Sequence, residues 1–409
     1  MRNPTVHRAP GLPPQVTIYE VGPRDGLQNE PALVPLATKA RFVAGLVAAG
    51  LRTVEATSFV SPRWVPQLAD ADQLLAMLPR PAGVRYPVLV PNRAGLDRAL
   101  RAGADDVAVF ASATETFARR NLGRGVDEVL AMAEPVAVQA RLSGLRVRGY
   151  VSMCFGDPWE GDVAVAKVVE VATRLAAMGC EQVSIGDTIG VATPGQVHDV
   201  LDALDGAGIG GRRVAVHFHD TYGQALANTL AALQCGVTTV DASAGGLGGC
   251  PFARSATGNL ATEDLVWMLD GLGVDTGVDL DALVATSSWL AGELGRPSPS
   301  RVVQALAVDG SAGGDRTGQP GTAAPATGGS GAEVTGRSMG TDRAEVTDRA
   351  MGTGRAMGTD RAMGTGRAMG TGRAMGTDRA MGTGRAMGTD RAMGTGRAMG
   401  TDRAMGADR

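Results

Sequence analysis

The stretch that decides the fold runs from an apolar strand segment, VRGYVSM (147–153), through a helical segment, AVAKVVEVATRLAAMG (164–179), to a second strand segment, QVSIGDT (182–188). Both strand segments are largely apolar along their length, as expected for parallel strands that are buried on both faces. Gly179 ends the helical segment, which is a common position for a glycine before the next strand. This stretch therefore predicts one βαβ unit of a parallel sheet.

The same unit recurs from residue 16 to about residue 272. Strand segments begin near residues 16, 53, 85, 106, 147, 182, 213 and 239, and a helical segment follows each of them. Eight βα units in about 250 residues predict an α/β fold of the (β/α)8 TIM-barrel type. A doubly wound open sheet is the alternative, but no GxGxxG motif follows the first strand. Residues 274–307 predict one or two extra C-terminal helices outside the barrel.

The composition changes abruptly near residue 309. Between residues 309 and 409 there is no Leu, Ile, Phe, Tyr or Trp, and residues 349–408 are ten hexads of the form RAMGTG, RAMGTD or, at the end, RAMGAD. Ordering such a segment costs about 1–2 kcal/mol per residue, with little apolar surface to offset it. We therefore predict a flexible N-terminus at 1–13, a barrel domain at 14–308 and a disordered low-complexity tail at 309–409.

Charge and cysteine usage narrow the function classes. The net charge is −3, and the chain outside the tail has 25 basic and 31 acidic residues, so the barrel has no electrostatic footprint for nucleic acid. No run of 18 apolar residues predicts a membrane span. The cysteine spacings match no zinc or disulfide pattern, and Cys180 and Cys235 are predicted to be buried small hydrophobic residues. Because the N-terminus lacks the apolar segment of a secretory signal, we expect a cytoplasmic protein.

A His-Phe-His sequence at the end of the seventh predicted strand indicates a metal site. Residues i and i+2 of a strand point to the same face, so His217 and His219 project together. The carboxyl ends of the strands form the active-site mouth of a TIM barrel. A single histidine is more often structural, but two imidazoles followed by Asp220 favour a divalent cation such as Mg²⁺, Mn²⁺ or Zn²⁺.

Further polar groups are predicted to converge on the same mouth. Any one of the acids could form a structural salt bridge, but five strand ends with polar groups at one end of a barrel are hard to explain by packing. The glycine-rich segment 245–249 can approach a ligand closely, and its neighbour Cys250 is expected on an exposed loop. The other groups are Arg24 and Asp25 after strand 1, Glu55 on strand 2, Asp187 on strand 6, and Asn259 before the last helix of the barrel.

Together, five motifs resemble the 3-hydroxy-3-methylglutaryl-CoA lyase family. The resemblance covers about residues 15–307, and the motifs occur in the family's order. The wider superfamily of metal-dependent TIM-barrel lyases and synthases shares the barrel, the Arg-Asp pair and the HxH sequence, whereas GLQNE and GGCPFA point to the lyase. The motifs are EVGPRDGLQNE, VEATSFVSPRWVPQLADAD, GDTIGVATP, HFHDTYGQALAN and GGLGGCPFARSATGNLATEDLVWML.

The resemblance implies roles for these residues. It implies that Arg24 stabilises the enolate on the acetyl-CoA fragment, and that Glu55 and Asp187 are polar partners of Arg24 and of the substrate hydroxyl. It also implies that Cys250 closes over the site and takes part in proton transfer. Mg²⁺ or Mn²⁺ would be held by Asp25, His217, His219 and Asn259, and Arg24, Gln28, Gly248 and Gly249 would contact the substrate.

The implied reaction is cleavage of 3-hydroxy-3-methylglutaryl-CoA to acetyl-CoA and acetoacetate, as in leucine degradation. Asp25, Asp187 and His217 all remain candidates for the base. The expected partner is an acyl-CoA substrate, with no nucleic acid and no membrane, and barrels of this kind commonly form homodimers. The alternatives are a lyase for a larger 3-hydroxy-3-alkylglutaryl-CoA, a condensing synthase of the same superfamily, and a non-catalytic barrel with an interaction tail.

Two departures from the family pattern bear on the acyl-CoA preference. Pro31 stands where the family often has a basic residue, so one contact to a CoA phosphate is expected to be missing. The segment Asp157-Pro158-Trp159 stands where the family often has Cys-Pro-Tyr. Neither departure touches the predicted metal ligands.

Overall fold

The computed structural model describes residues 3–249 and 258–311 and two short strands, 361–363 and 379–381. Its contacts divide the chain into two units, Met1–Gly318 and Gln319–Arg409. In the described part of the chain, no helix is both long and apolar enough to span a bilayer.

The first unit contains a closed barrel of parallel strands. The segment predicted as one strand at 53–59 forms two short strands, β2 and β3. Because β2 pairs with β1 and β3 pairs with β4, the same segment closes the ring between the first and last members of the sheet order. The predicted TIM barrel is confirmed. Its strands are β1 (Thr17–Glu20), β2 (Thr53–Val54), β3 (Thr57–Ser58), β4 (Val88–Leu89), β5 (Asp106–Ser112), β6 (Arg146–Ser152), β7 (Gln182–Asp187), β8 (Val214–Phe218) and β9 (Thr239–Ala242).

The helices alternate with the strands, and α10 and α11 lie in the C-terminal region that predicted extra helices. Helix α4 forms because Phe117 and Ala118 bury one face, and Gly123, at φ +68°, ends it. The helices are α1 (Leu36–Ala48), α2 (Ala71–Met77), α3 (Arg93–Arg101), α4 (Glu115–Leu122), α5 (Val126–Leu142), α6 (Val165–Ala177), α7 (Pro194–Gly206), α8 (Ala225–Gln234), α9 (Thr262–Leu272), α10 (Leu280–Glu293) and α11 (Arg301–Ser311).

The core has two parts with different chemistry. Between the sheet and the helices, large apolar side chains such as Phe42 and Phe218 are fully buried. Inside the barrel the residues are partly polar: Arg148 on β6 forms an ion pair with Asp241 on β9, and these strands are not neighbours in the sheet. The contact therefore crosses the barrel interior, and the polar layer lies below the mouth.

The two cysteines predicted to be buried differ. Cys180 is buried, as predicted. Cys235 is only half-buried, because it follows the end of α8, where its Sγ lies 3.1 Å from His198 Nδ1 on α7.

The structure also describes parts of the predicted N-terminal segment and of the predicted tail. Near the N-terminus, the His7 amide donates to the Gly271 carbonyl at 2.8 Å. In the second unit, strands β10 (Arg361–Met363) and β11 (Arg379–Met381) pair in parallel with identical RAM triplets opposite each other. Helix α11 includes residues 309–311 of the predicted disordered tail, the remainder of the tail lies outside the described residues, and the proposed domain boundaries remain predictions.

Candidate active site

The segment after β1 delivers Arg24 and Asp25 to the barrel mouth. Residues Gly22–Gly26 form one π-helical turn, and the amides of Arg24, Asp25 and Gly26 all donate to the Val21 carbonyl. The turn packs closely against the β9 loop, since a Cβ on Gly26 would lie 2.8 Å from Ser243 Oγ. This close approach explains why glycine follows the Arg-Asp pair.

Arg24 is buried and held by two carboxylates. Its Nε donates to Glu55 Oε2 at 2.7 Å, and its Nη1 donates to Asp25 Oδ1 at 2.6 Å. Burial alone would lower the pKa of Arg24, but Glu55 and Asp25 raise it above its ordinary value. The guanidinium is therefore a fixed positive charge whose orientation is set by two partners.

Asp25 meets the two histidines at the same place. One ligand atom from each of Asp25, His217 and His219 lies within 4.8 Å of the others, and the imidazole centroids are 5.3 Å apart. Burial raises the pKa of Asp25, but Arg24 and the two imidazoles lower it, and its value is about 2. Asp25 is thus ionised at neutral pH and can bind a cation.

Asn259 completes this group with an amide oxygen that can accept from or bind a ligand. Its Nδ2 donates to Asp25 Oδ2 at 2.9 Å and to the Leu247 carbonyl at 3.0 Å, which fixes the orientation of the amide. Its Oδ1 is buried and has no hydrogen bond among the described residues. A buried acceptor without a partner is costly unless a ligand satisfies it.

The donor set fits a divalent metal ion. It offers one ionised carboxylate, two imidazoles and one amide oxygen, all at the carboxyl ends of β1, β8 and β9. The structure thus brings together all four predicted metal ligands, and the described residues include a candidate metal site. We call the six residues Arg24, Asp25, Glu55, His217, His219 and Asn259 the mouth cluster.

A second polar layer lies beneath the mouth cluster and was not predicted. Tyr150 donates through its hydroxyl to Glu55 Oε1 at 3.2 Å, and its ring lies 5.6 Å below the Arg24 guanidinium. Arg148 donates to Tyr150 Oη at 3.2 Å and to Asp241 Oδ1 at 2.6 Å. The signal was present in the sequence, since an Arg and an Asp interrupt otherwise apolar strands.

Asp187 reaches the mouth but is held by its own loop. Its Oδ1 accepts from the Val191 amide at 2.9 Å and its Oδ2 from the Ala192 amide at 3.0 Å. Burial raises the pKa of Asp187 to about 6, although these amides oppose the shift. The implied partnership with Arg24 remains a prediction, because the hydrogen bonds given above join Arg24 to Glu55 and Asp25 instead.

The glycine-rich segment packs against the metal site. Gly248 has φ +115°, and a Cβ there would lie 2.5 Å from Asn259 Nδ2, so only glycine fits without displacement. Asn29 Nδ2 donates to the Gly249 carbonyl at 2.7 Å, which joins this segment to the turn that contains half-buried Gln28. The predicted contribution of Cys250 lies outside the described residues.

Two buried glutamates anchor the mouth from behind and were also missed. Glu20 accepts from the Gly22 and Ala244 amides, both at 2.8 Å, and thereby joins the β1 and β9 loops. Glu263 accepts from the Gly245 amide at 2.9 Å and from Ser287. Burial raises the pKa of Glu20 to about 7 and that of Glu263 to about 8.

Comparisons of the sequence and the fold with known proteins identify the family of this chain. Residues 15–290 match a family model described as HMGL-like. The mitochondrial hydroxymethylglutaryl-CoA lyase of Bos taurus is 52% identical over 294 residues, which cover 72% of this chain and 90% of the relative. The crystal structure of hydroxymethylglutaryl-CoA lyase from Pseudomonas aeruginosa has a TM-score of 0.71 at 46% identity, covering 73% of this chain and 99% of that one.

A further structural neighbour has ligands bound. It is an HMG-CoA lyase from Acenitobacter baumannii in complex with coenzyme A and 3-methylmalate, with a TM-score of 0.68 and 33% identity. The match covers 78% of this chain and 100% of the neighbour. From the family match over most of the barrel and the identity to these relatives, we conclude that the chain belongs to the HMGL-like family.

Proposed function

We propose that this protein is a carbon–carbon lyase that cleaves 3-hydroxy-3-methylglutaryl-CoA to acetyl-CoA and acetoacetate. The observation that carries the proposal is the mouth cluster, in which a candidate metal site lies next to the buried, ion-paired Arg24. Relatives named for this activity at about half identity support the substrate. The neighbour with coenzyme A and 3-methylmalate supports an acyl-CoA with a hydroxylated diacid.

Mg²⁺ or Mn²⁺ is the proposed cofactor. The residues that would hold it are Asp25, His217, His219 and Asn259, whose oxygen and nitrogen donors suit these ions. When bound, such an ion lowers the pKa of the substrate's tertiary hydroxyl and neutralises charge that develops on its oxygen. Asn259 Oδ1 would then gain the partner that it lacks among the described residues.

Arg24 is placed to stabilise the charge that leaves the broken bond. When the C–C bond breaks, negative charge moves onto the thioester oxygen of the acetyl-CoA fragment. A cation aimed at that oxygen acts mainly on the transition state, and the bonds to Glu55 and Asp25 hold Arg24 in place before the reaction begins. The substrate therefore meets a guanidinium that needs no reorientation.

Asp187 is the best match among the three candidates for the base. A general base works best when its pKa lies near the working pH, and the pKa of Asp187 is about 6, against about 2 for Asp25. The oxygens of Asp187 accept from the Val191 and Ala192 amides, which leaves lone pairs to take the proton of the substrate hydroxyl.

A substrate panel tests the proposal. The purified chain is given 3-hydroxy-3-methylglutaryl-CoA, a homologue with a longer 3-alkyl group, and, separately, acetyl-CoA with a 2-oxo acid; acetyl-CoA release or consumption is followed. We expect release from the methyl substrate at the highest kcat/KM. Release from the longer homologue alone would assign a different lyase, and consumption of acetyl-CoA with the oxo acid alone would assign a condensing synthase.

A further inference from the structure

His217 has one ring nitrogen whose environment is set by a residue outside the mouth cluster. Its Nδ1 is buried and makes no good hydrogen bond within the described residues, yet Asp241 Oδ2 lies only 3.4 Å away. An approach of about 0.5 Å would bring these atoms to ordinary hydrogen-bond distance. Since an unpaired buried N–H is costly, we expect that approach once the other nitrogen is engaged.

Asp241 is itself held rigidly in the barrel interior. Its Oδ1 accepts from Arg148 Nη2 at 2.6 Å, and its Oδ2 accepts from Ser184 Oγ at 2.9 Å. Arg148 is in turn stacked on aromatic rings, with its Cζ 3.8 Å from the Tyr19 ring centroid. Because Asp241 is 1% exposed and Arg148 balances its charge, the carboxylate presents Oδ2 to the histidine in one fixed direction.

The sheet register keeps the two residues together. His217 on β8 is directly opposite Asp241 on β9 in the parallel pairing, so their side chains lie side by side on the inner face. Asp241 is deeper in the barrel than the group formed by Asp25 and His219, because it contacts Arg148 below the mouth. The Nδ1 edge of the imidazole therefore faces Asp241, and the opposite edge faces the candidate metal ligands.

We propose that Asp241 is a positioning residue: it accepts the Nδ1–H of His217, so that the Nε2 lone pair faces Asp25 and His219. The role of this contact in cation binding rests on the proposed function, but its geometry does not. A carboxylate behind a metal-binding histidine fixes the tautomer and the ring orientation. With Nδ1 bonded to Asp241 and Nε2 turned to the cation, His217 has no free nitrogen to act as the base.

The test compares Asp241→Asn with Asp106→Asn, a matched control. Asp106 is also a buried strand aspartate paired with an arginine, Arg146, but it begins β5 at the opposite end of the barrel. Binding of Mn²⁺ to the full chain is measured by electron paramagnetic resonance without substrate. We expect Asp241→Asn to weaken Mn²⁺ binding about 10–100-fold and Asp106→Asn to leave it unchanged. Equal affinities in both variants would overturn the proposal.

The tautomer gives a second readout that needs no variant at Asp241. The chain has four histidines, so ¹⁵N-histidine labelling with single His→Asn variants assigns the His217 signals. In the metal-free wild type we expect the proton on Nδ1 and the lone pair on Nε2. In Asp241→Asn, an amide whose oxygen stays on Arg148 turns its NH₂ toward His217, and we expect the proton to move to Nε2. A wild-type proton on Nε2 would refute the proposal even if the variant failed to fold.

These measurements do not depend on catalysis. If the wild type binds Mn²⁺ through the predicted tautomer but does not cleave 3-hydroxy-3-methylglutaryl-CoA, the proposed function fails and the role of Asp241 stands. If cleavage occurs but the tautomer is the opposite one, the role of Asp241 fails and the proposed function stands.

Discussion

The two ends of the barrel each contain an aspartate paired with arginine, but they differ in how completely their buried polar atoms are hydrogen-bonded. At the amino ends of the strands, Asp106 accepts from Arg146 at 2.5 Å and 3.3 Å and from Arg85 at 3.3 Å; we call these three residues the base cluster. Both oxygens of Asp106 are satisfied there, and the arginines are partly exposed. At the mouth, Asn259 Oδ1 and His217 Nδ1 are buried and make no hydrogen bond to any residue that the structure describes.

The comparison shows that residue type and burial alone do not mark a functional site. Both clusters have an aspartate in a close ion pair with an arginine, which is a common structural solution. What distinguishes the mouth cluster is that its side chains converge on one candidate metal site, where the buried acceptor Asn259 Oδ1 has no partner among the described residues. Such groups are retained where a ligand supplies the missing partner.

Replacement of Arg24 should lower kcat more than any other substitution proposed for the mouth cluster. Arg24→Lys keeps the charge but loses the planar fork that pairs with Glu55 and Asp25. We expect kcat for 3-hydroxy-3-methylglutaryl-CoA to fall about 10³-fold, with a much smaller change in Mn²⁺ affinity. The same substitution in the base cluster, Arg146→Lys, should leave kcat unchanged. Comparable losses in the two variants would remove the distinction between the clusters.

Asp187 and Asp25 differ in environment, and Asp187 is the aspartate whose pKa suits the role of general base. If Asp187 takes the proton, it must be ionised, so kcat/KM of the wild type should rise with pH through about 6 and then level off. Asp187→Asn should lower kcat about 100-fold and abolish this rise. A pH–rate profile of Asp187→Asn parallel to that of the wild type would exclude Asp187 as the base.

The raised pKa of buried Glu263 should make the free energy of unfolding depend on pH. The carboxyl of Glu263 ionises near its ordinary pKa of 4.5 in the unfolded chain but near 8 in the fold, so the unfolded chain loses its proton first. Stability contributed by this group is therefore complete below about pH 4.5 and is lost as the pH rises toward 8.

Substitution of Glu263 tests this origin. Glu263→Gln preserves the shape and the bond from the Gly245 amide but cannot ionise. We expect it to reduce the fall in unfolding free energy between pH 5 and pH 8 by about 3–4 kcal/mol, measured by denaturant titration at both pH values. Identical pH dependences for the wild type and Glu263→Gln would show that burial of this carboxyl carries no such cost.

The smallest effect is expected at the base cluster. Arg85→Ala removes a 3.3 Å ion pair with Asp106 from a side chain that is 36% exposed. Because solvent screens such pairs, we expect a loss of less than about 1 kcal/mol in unfolding free energy, with kcat and Mn²⁺ affinity unchanged. A large loss of kcat in Arg85→Ala would mean that the two ends of the barrel are coupled.

Sequence patterns predicted the parts of the site that follow simple periodicity. His217 and His219 lie together because strand residues alternate faces, and Arg24, Asp25, Glu55 and Asp187 lie at the mouth because the carboxyl ends of parallel strands share one side of a barrel. Asn259 was placed at the mouth by its position before the last helix of the barrel, and only the resemblance to the family implied its role as a metal ligand. These residues required only local rules and the order of the strands.

The polar interior could not be read from the same patterns. Arg148 and Asp241 are 93 residues apart, and their contact depends on barrel closure, which fixes which strands face each other. Interpreting the strands as uniformly apolar concealed both residues. Glu20 points away from the interior and serves two loops at once, a role that depends on the packing of the β9 loop. Long-range register, rather than composition, therefore determines the supporting layers of the site.

Metal dependence of the cleavage reaction is the most direct test of whether the mouth cluster is a catalytic metal site. The full chain is stripped of metal with a chelator, returned to metal-free buffer and assayed for acetyl-CoA release from 3-hydroxy-3-methylglutaryl-CoA while Mg²⁺ or Mn²⁺ is added, with Asp106→Asn as the control. We predict no release before addition and full recovery on saturation of one site, in the wild type and the control alike. Rapid release by the stripped chain would contradict the account, because the open mouth cluster would then not be a catalytic metal site.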